Sequence, residues 1–314
     1  MLAQSWEEKR HDKRRRTNLF RDLSRIMLSL GRTPLARIGS FTLDNEGVLS
    51  LTNRPLTMRL NFLENLGTPT NIARDDTYTA VEPYLLDLLS YHDNRLLHQP
   101  NSISDKADCR AQMAVITGMR AILPHFIERD LRHGPFLFSL TDMQPANIFV
   151  DEELHIKCVI DLEWACALPV EMQNPPHWLT NRDLDDLADE HLTPYDDVRR
   201  EFMEAFENEE KRQEDGNLHM EEKDCLLRTR TMRRVWETGG FFYFHALENT
   251  SGLFNLFLQH IWPKFPSSTT AMRSFDEAVS PFWGPRADAV TLMKLEDKEV
   301  YEAQLRALFK DKAQ

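Results

Sequence analysis

The stretch FLFSLTDMQPANIFVDEELHIKCVIDLEWA, residues 136–165, decides the fold prediction. Its runs 136–140, 148–150 and 155–160 are short, apolar and rich in residues that favour β-strands, and Asp-Glu-Glu at 151–153 is a turn sequence. The order along the chain is therefore a strand, a polar loop, a β-hairpin and then a carboxylate. After one earlier hairpin, this is the only compact β region that the sequence predicts.

Three polar residues stand at the ends of these predicted strands: Asp142, Asn147 and Asp161. Asp142 and Asn147 share one loop, and the hairpin returns Asp161 to the same place, so the spacing predicts that the three residues meet. Phosphoryl transfer needs a carboxylate that orients the acceptor hydroxyl and oxygen ligands that hold Mg²⁺ on the phosphates. The three residues supply that set. The alternative is structural, because each residue alone could cap a turn or end a strand.

Outside this stretch the sequence predicts mainly helices, because apolar residues recur at helical spacing. The fold class is therefore α+β, mainly helical. A bend is expected at Pro124, inside one of the long helices. The predicted elements are helices at 17–30, 78–98 and 108–131, strands at 38–43 and 48–52, an exposed loop or helix end at 208–217, a buried helix at 241–262, and mainly helices after residue 184.

Composition and charge narrow the functional classes. The 314 residues are 41% hydrophobic and 28% charged, enough for one large domain or two smaller ones, each with its own core. The formal net charge of -12 repels phosphate backbones, which argues against a nucleic-acid partner. No stretch is apolar enough for a membrane span, and the N-terminus lacks the apolar core of a secretory signal. We expect a cytoplasmic protein without a membrane partner.

The residues around the three polar positions resemble a family signature. Aminoglycoside phosphotransferases and choline kinases share HGDxxxxN, followed after a hairpin by Ile-Asp-Trp-Glu. This chain has Thr-Asp-Met-Gln-Pro-Ala-Asn at 141–147 and Ile-Asp-Leu-Glu-Trp at 160–164. It also has Pro-Pro-His-Trp-Leu at 175–179, which is similar to a Pro-Pro-aromatic-Trp-Leu stretch in the fungal branch. The chain thus resembles the fungal branch of this family over the C-terminal lobe only.

The resemblance implies a protein-kinase-like fold and an activity. An aminoglycoside phosphotransferase (APH)-like enzyme moves a phosphoryl group from ATP, with Mg²⁺, to a hydroxyl of a small molecule, and the acceptor is unknown here. Asp142 corresponds to the catalytic base, and Asn147 and Asp161 to the metal ligands. Glu163 is a weaker candidate for the same metal site. No residue is assigned to cofactor binding beyond these metal ligands.

The chain departs from the family pattern in two places. The His and Gly that precede the catalytic Asp are Leu140 and Thr141 here, so the hydrogen bonds around this loop are expected to differ. No lysine occurs between Lys13 and Lys106, and the glycines in that interval stand singly. The strand lysine and Gly-rich loop that hold ATP in such kinases are therefore not recognised. We expect an incomplete N-terminal lobe, as in a truncated gene product. The alternative function is a catalytically inactive pseudokinase that serves as a binding or scaffold protein for a protein partner.

These considerations divide the chain into three consecutive segments: a basic N-terminal extension at 1–16, a kinase-like catalytic-lobe core at 17–183 and a helical substrate-side region at 184–314. Acidic residues at the last boundary could meet a cationic acceptor. Acidic residues early in a helix also suit the helix dipole, which is the preferred interpretation. The acidic residues are Asp183, Asp185, Asp186, Asp189 and Glu190.

Overall fold

The computed structural model describes residues 1–214, 225–265 and 271–311. Two compact units are interleaved along the chain. Unit 1 comprises Met1–Met58, Arg74–Val81 and Ile127–Phe241, and unit 2 comprises Arg59–Ala73, Glu82–Phe126 and Phe242–Gln314. With 62% helix and 10% strand, the predicted class, α+β and mainly helical, is confirmed. The functional division of the chain into segments 1–16, 17–183 and 184–314 stays a prediction.

The bounds of the elements are as follows. In chain order the helices are α1 (Trp6–Lys9), α2 (Lys13–Leu30), α3 (Met58–Asn65), α4 (Val81–His98), α5 (Lys106–Phe126), α6 (Leu192–Glu214), α7 (Leu227–Thr238), α8 (Gly240–Glu248), α9 (Leu253–Leu256), α10 (Ala271–Val279) and α11 (Ala287–Asp311). The strands are β1 (Ser40–Leu43), β2 (Leu49–Asn53), β3 (Phe136–Leu140), β4 (Ile148–Val150), β5 (Ile156–Val159) and β6 (Ala165–Pro169).

Helix α2 begins before the predicted start at Thr17. Asp12 is the true N-cap, because its Oδ1 accepts hydrogen bonds from the backbone N–H groups of Arg14, at 3.0 Å, and Arg15, at 3.3 Å. The buried face of α2 then packs against α6, about 180 residues later in the chain, and the rings of Phe20 and Phe202 lie 5.6 Å apart. The bound that the sequence placed at Thr17 is therefore wrong by one turn.

The segment before α2 belongs to the core of unit 1. Trp6 is fully buried, and its ring meets the edge of Trp178 at a centroid distance of 5.9 Å. The Trp6 indole N–H also donates to the backbone oxygen of Trp178, at 3.3 Å. The basic N-terminal extension predicted at 1–16 therefore contributes a buried side chain to this core.

Three two-stranded antiparallel sheets make up the β-structure that the structure describes, and all three lie in unit 1. Strands β1 and β2 form the predicted first hairpin, and β4 and β5 form the predicted second one. Strand β6 was not predicted. Its sequence, Ala-Cys-Ala-Leu-Pro, is short and carries small side chains, so it has weak local strand preference, and it becomes a strand by pairing with β3.

The regular secondary structure of unit 2 is entirely helical in the part that the structure describes. Phe126, at the end of α5, stacks on Tyr243 of α8 at 4.1 Å, and the Tyr243 hydroxyl donates to the backbone oxygen of Met119 at 2.9 Å. A buried aromatic ring with a satisfied hydroxyl is a strong packing element. None of the helices in the described residues is long and apolar enough to span a membrane.

The single helix predicted at 241–262 is wrong. Helix α8 ends at Glu248, and the side chain of Asn249 then accepts backbone N–H groups of Ser251, at 3.3 Å, and Gly252, at 3.0 Å. This local side-chain turn competes with helix continuation. The chain resumes as α9 and a π-helical turn at Phe257–Ile261.

Other predicted bounds change for local reasons. Helix α4 starts at Val81 because Tyr78 is extended and exchanges backbone hydrogen bonds with Ile38. Helix α5 contains Pro124 and ends at Phe126, and a separate 3₁₀ turn follows at 129–131. The stretch 208–217 is helical as far as Glu214. Its Glu209 and Glu210 are buried rather than exposed, and 215–217 lie outside the described residues.

Candidate active site

The nested strand pairing in unit 1 brings two loops side by side. The outer pair β3–β6 ends with Leu140 opposite Ala165, and the inner pair β4–β5 begins with Ile148 opposite Val159. Residues 141–147 and 160–164 are the two connections between these pairs. Since both connections join the same two strand pairs, they must run next to each other.

Backbone hydrogen bonds join the two connections at both ends. Thr141 donates both its N–H, at 2.8 Å, and its hydroxyl, at 2.9 Å, to the backbone oxygen of Trp164. At the other end, the Ile160 N–H donates to the backbone oxygen of Asn147, at 3.0 Å. The structure thus places the predicted residues Asp142, Asn147 and Asp161 on two adjoining loops. Thr141, where the family has Gly, supplies one of the joining bonds.

Asp142 is a half-buried carboxylate held by its own loop. Its Oδ2 accepts Asn147 Nδ2 at 2.8 Å and, more distantly, Gln144 Nε2 at 3.3 Å. Burial raises the pKa of Asp142 above its ordinary value, and the negative charges of Asp161 and Glu163 add to this rise. The hydrogen bonds from Asn147 and Gln144 lower the pKa and offset part of the rise. The electrostatic influence of Asp161 and Glu163 on Asp142 indicates that the three carboxylates form one acidic neighbourhood.

Asn147 is the buried member of the site, with 4% of its surface exposed. Its Nδ2 donates both to the Asp142 carboxylate and to the Asp142 backbone oxygen, at 3.0 Å. The amide nitrogen is therefore committed to the loop. A cation could be met by the amide oxygen Oδ1, the atom type that hard cations prefer.

Asp161 and Glu163 are the exposed members of the site. Asp161 has φ of 57°, in the left-handed region, which Asp and Asn enter more readily than most residues. This conformation follows β5 directly and turns the chain toward β6. Exposure leaves both carboxylates open to a ligand from solvent.

The oxygen atoms of the site fit Mg²⁺ only if substrate phosphates and waters complete its coordination shell. Within the described ranges, no group of three or more His, Cys, Asp and Glu side chains could hold a metal ion by itself. Mg²⁺ in phosphoryl-transfer sites is commonly bound through one or two carboxylates together with substrate phosphates and waters. Asp161 and the Asn147 amide oxygen could supply the protein part of such a shell. The chemistry that Mg²⁺ would add is neutralisation of phosphate charge.

Trp178 holds the 141–147 loop in place through a hydrogen bond, a role that the sequence did not predict. Its indole N–H donates to the backbone oxygen of Met143 at 2.9 Å, in the centre of the 141–147 loop. Trp178 is buried and packs against Trp6. In the sequence, the Pro-Pro-His-Trp-Leu stretch at 175–179 indicates only a resemblance to the fungal branch. No local pattern predicts this bond, because it joins residues 35 positions apart in the chain.

The first hairpin lies against the same strands. Gly39 and Ala167 exchange backbone hydrogen bonds at 2.7 and 3.2 Å, and the Ser40 hydroxyl donates to the backbone oxygen of Ala165 at 3.2 Å. Around the two loops and this hairpin, several large apolar side chains remain exposed to solvent. They are Phe41, Leu43, Leu49, Phe149, Ile160 and Leu162.

The acidic residues predicted to meet a cationic acceptor lie in two short turns of unit 1. One 3₁₀ turn spans Leu184–Asp186 and the other Asp189–His191. The second turn leads directly into α6, so Asp189 and Glu190 lie at the N-terminus of a long helix, where acidic residues suit the helix dipole. Their role toward an acceptor stays a prediction.

Comparison with known proteins gave no relative: no protein-family model, no curated protein and no solved structure matches this chain significantly. The likeness to aminoglycoside phosphotransferases therefore depends on the residues of the two loops. The functional assignment that follows is drawn from the geometry of those loops.

Proposed function

We propose that unit 1 carries an APH-like phosphoryl-transfer site, in a protein-kinase-like arrangement, that acts on a hydroxyl of a small molecule with Mg²⁺ and ATP. Asp142 is the base, and Asn147 and Asp161 are the metal ligands. The observation that carries the proposal is the Asn147 side chain, which is buried and hydrogen-bonded to Asp142 on a loop that adjoins Asp161. A buried amide that donates to a carboxylate fixes the position of that carboxylate, as a catalytic group requires, and a residue that only caps a turn has no need of it.

Each residue has a definite task in this proposal. The Asp142 carboxylate accepts the hydrogen bond of the acceptor hydroxyl and takes its proton as the oxygen attacks the γ-phosphorus of ATP. The bond from that phosphorus to the ADP oxygen breaks, and ADP leaves with the electron pair. A pKa above that of an ordinary Asp strengthens Asp142 as a base. Asp161 and Asn147 would hold the cation, which would neutralise charge on the phosphates.

ATP affinity should be modest in this chain alone. The described residues of unit 1 before β3 form one hairpin and helices, and no lysine lies between Lys13 and Lys106. Kinases of this type use a strand lysine and a Gly-rich loop to hold the phosphates. The phosphates would here depend mainly on the cation.

One observation favours the second candidate, a pseudokinase that binds a protein partner. The exposed apolar residues around the loops include Leu43 and Leu49, at 67% and 65% exposure, and Leu162, at 52%. Neighbouring exposed apolar side chains are typical of interaction surfaces. Such a surface would be covered by another polypeptide in either case, so catalysis must be tested directly.

The first test is cation binding in the presence of ATP. Mn²⁺, which substitutes for Mg²⁺ and is visible by electron paramagnetic resonance, is titrated into the full chain with ATP. We expect Asp161→Ala to lower the affinity for Mn²⁺ by at least about tenfold. Glu152→Ala is the matched control, because Glu152 is an exposed carboxylate in the turn of the same hairpin. Equal Mn²⁺ binding by wild type and Asp161→Ala would exclude the metal assignment.

The second test separates the enzyme from the pseudokinase. The ATP hydrolysis and acceptor phosphorylation of wild type and Asp142→Asn are followed by ³¹P NMR, with amino sugars and choline-like amines as acceptors. Turnover that is present in wild type and lost in Asp142→Asn supports the enzyme. Mn²⁺·ATP binding without turnover supports the pseudokinase.

A further inference from the structure

Unit 2 contains a cleft of about 380 Å³ whose lining residues all belong to that unit. Helix α4 contributes Ser90, Asp93, Asn94 and Leu97, which recur at the spacing of one helical face. Helix α5, the turn before α11 and the segment before α4 complete the walls. None of these residues belongs to the candidate active site. The volume is near the lower end of ordinary ligand sites, about 300–1,000 Å³.

The charges in the cleft cancel. Asp93 and Arg120 are its only charged lining residues among those described, and they form an ion pair with each other. The second oxygen of Asp93 accepts the indole N–H of Trp283 at 2.6 Å. Both carboxylate oxygens are therefore occupied, and their positions are fixed. A cleft without net charge offers no electrostatic gain to an anion or a cation, so it favours a neutral ligand.

Several hydrogen-bonding groups in the cleft are not used within the protein. Among the described residues, no intramolecular hydrogen bond engages the side chain of Asn71, the Oδ1 of Asn94, or the Nε and Nη1 of Arg120. Asn94 uses only its Nδ2, which donates to the backbone oxygen of Pro69 at 2.7 Å. The Thr117 hydroxyl donates to the backbone oxygen of Met113 and can still accept. The cleft thus offers both hydrogen-bond donors and acceptors to a ligand.

The remaining wall is aromatic. Phe282 has 80% of its surface exposed and lies beside Trp283 on the 3₁₀ turn Ser280–Trp283. Trp283 is held in place by Asp93 and packs against the buried cluster of Leu96 and Val290. An exposed aromatic ring in the wall of a cleft offers a flat apolar face on which a ligand can stack.

We propose that this cleft binds a neutral polyhydroxylated ligand of the size of a mono- or disaccharide. A sugar ring presents an apolar C–H face, which stacks on Phe282 and Trp283. Its hydroxyls both donate and accept, as the free groups of Asn71, Asn94 and Arg120 require. The Asp93–Arg120 pair supplies fixed partners without net charge.

The test uses isothermal titration of the full chain with maltose, a neutral disaccharide. Adenosine and glucose 6-phosphate are titrated in parallel, because the first is a neutral aromatic and the second an anionic sugar. We expect maltose to bind more tightly than either. Phe282→Ala and Thr117→Val should each lower the maltose affinity, Phe282→Ala by about fivefold.

The matched control is Phe309→Ala, which removes another highly exposed Phe, on α11 and outside the lining of the cleft. Its maltose affinity should equal that of wild type. Since Phe282 is exposed, the Phe282→Ala chain should keep its melting temperature, and its binding can be compared directly. The proposal is overturned if maltose does not bind, if Phe282→Ala binds it as well as wild type, or if adenosine or glucose 6-phosphate binds more tightly.

Discussion

The side-chain nitrogen of Asn147 donates to two oxygens of Asp142, its carboxylate Oδ2 at 2.8 Å and its backbone oxygen at 3.0 Å. One amide group thereby fixes both the backbone and the side chain of the proposed base. Asn147 immediately precedes β4, so the position of Asp142 is tied to the inner hairpin rather than left to the loop.

The Asn147→Ala variant should lose stability because each of two Asp142 oxygens, the carboxylate Oδ2 and the backbone oxygen, loses one of its two donors in a partly buried place. We expect the free energy of unfolding to fall by about 1–3 kcal/mol, measured by urea denaturation. Gln144→Ala is the control, since Gln144 makes a longer, exposed bond to the same carboxylate. Its change should be within about 0.5 kcal/mol. Equal losses in the two variants would contradict the special role of Asn147.

Replacing Trp178 by Phe removes the indole donor to Met143 while keeping an aromatic ring in the core. The amides of residues 141–147 should then exchange with deuterium faster, although the overall fold remains. Trp262→Phe, in unit 2, serves as the control because it leaves this loop untouched. Unchanged exchange in the 141–147 loop of Trp178→Phe would show that the indole does not hold the loop.

Glu171 should make stability fall as pH rises. It is fully buried, accepts the Glu128 N–H at 2.8 Å and Arg234 Nη2 at 3.2 Å, and burial raises its pKa to about 7 from 4.5 despite those two lowering contacts. Between pH 4.5 and about 7, Glu171 keeps its proton in the folded chain but has released it in the unfolded chain. Stability contributed by the protonated form is thus complete below pH 4.5 and lost as pH rises through about 7.

The measurement is the free energy of unfolding from pH 4.5 to 8 in wild type and Glu171→Gln. The free energy of unfolding of wild type should fall relative to that of Glu171→Gln as pH rises through about 7, because only wild type loses the proton of Glu171. Glu46→Gln, at an exposed turn position, is the control and should follow wild type. A constant difference between Glu171→Gln and wild type across this range would contradict the prediction.

Gly39 should not tolerate a side chain. An added Cβ would lie 2.8 Å from the backbone oxygen of Asn53 and 2.9 Å from Thr77 Cγ2, so the backbone at Gly39 must shift away from the end of β2 and from Thr77. We expect Gly39→Ala to lower the free energy of unfolding by about 1–3 kcal/mol. Gly284→Ala is the control because nothing lies within 4 Å of its added Cβ. A melting temperature of Gly39→Ala equal to that of Gly284→Ala would contradict the close approach.

Local sequence signals predicted the elements whose causes are local. The periodicity of α2, the turn sequence before Val48 and the β-rich run at 136–160 each describe a structure that forms from neighbouring residues. Strand β6 forms by pairing with β3, and the turn at Asn249 forms because one side chain competes with helix continuation. The spacing of apolar residues along the sequence predicts neither element. The contact between Asp142 and Asn147 could be predicted because both residues lie on one loop. The hydrogen bond from Trp178 to Met143 spans 35 residues, and no sequence pattern predicts it.

The pairing of α2 with α6 has a consequence for biosynthesis. Arg16 and Glu201, which join these helices, are 185 residues apart in the chain. At a translation rate of about 5–20 residues per second, α2 leaves the ribosome roughly ten to forty seconds before its partner exists. During that interval Leu19, Phe20 and Leu23, which α6 and its neighbours later bury, face solvent or a chaperone. Production of this chain in a cell should therefore respond to the supply of chaperones that hold nascent amphipathic helices.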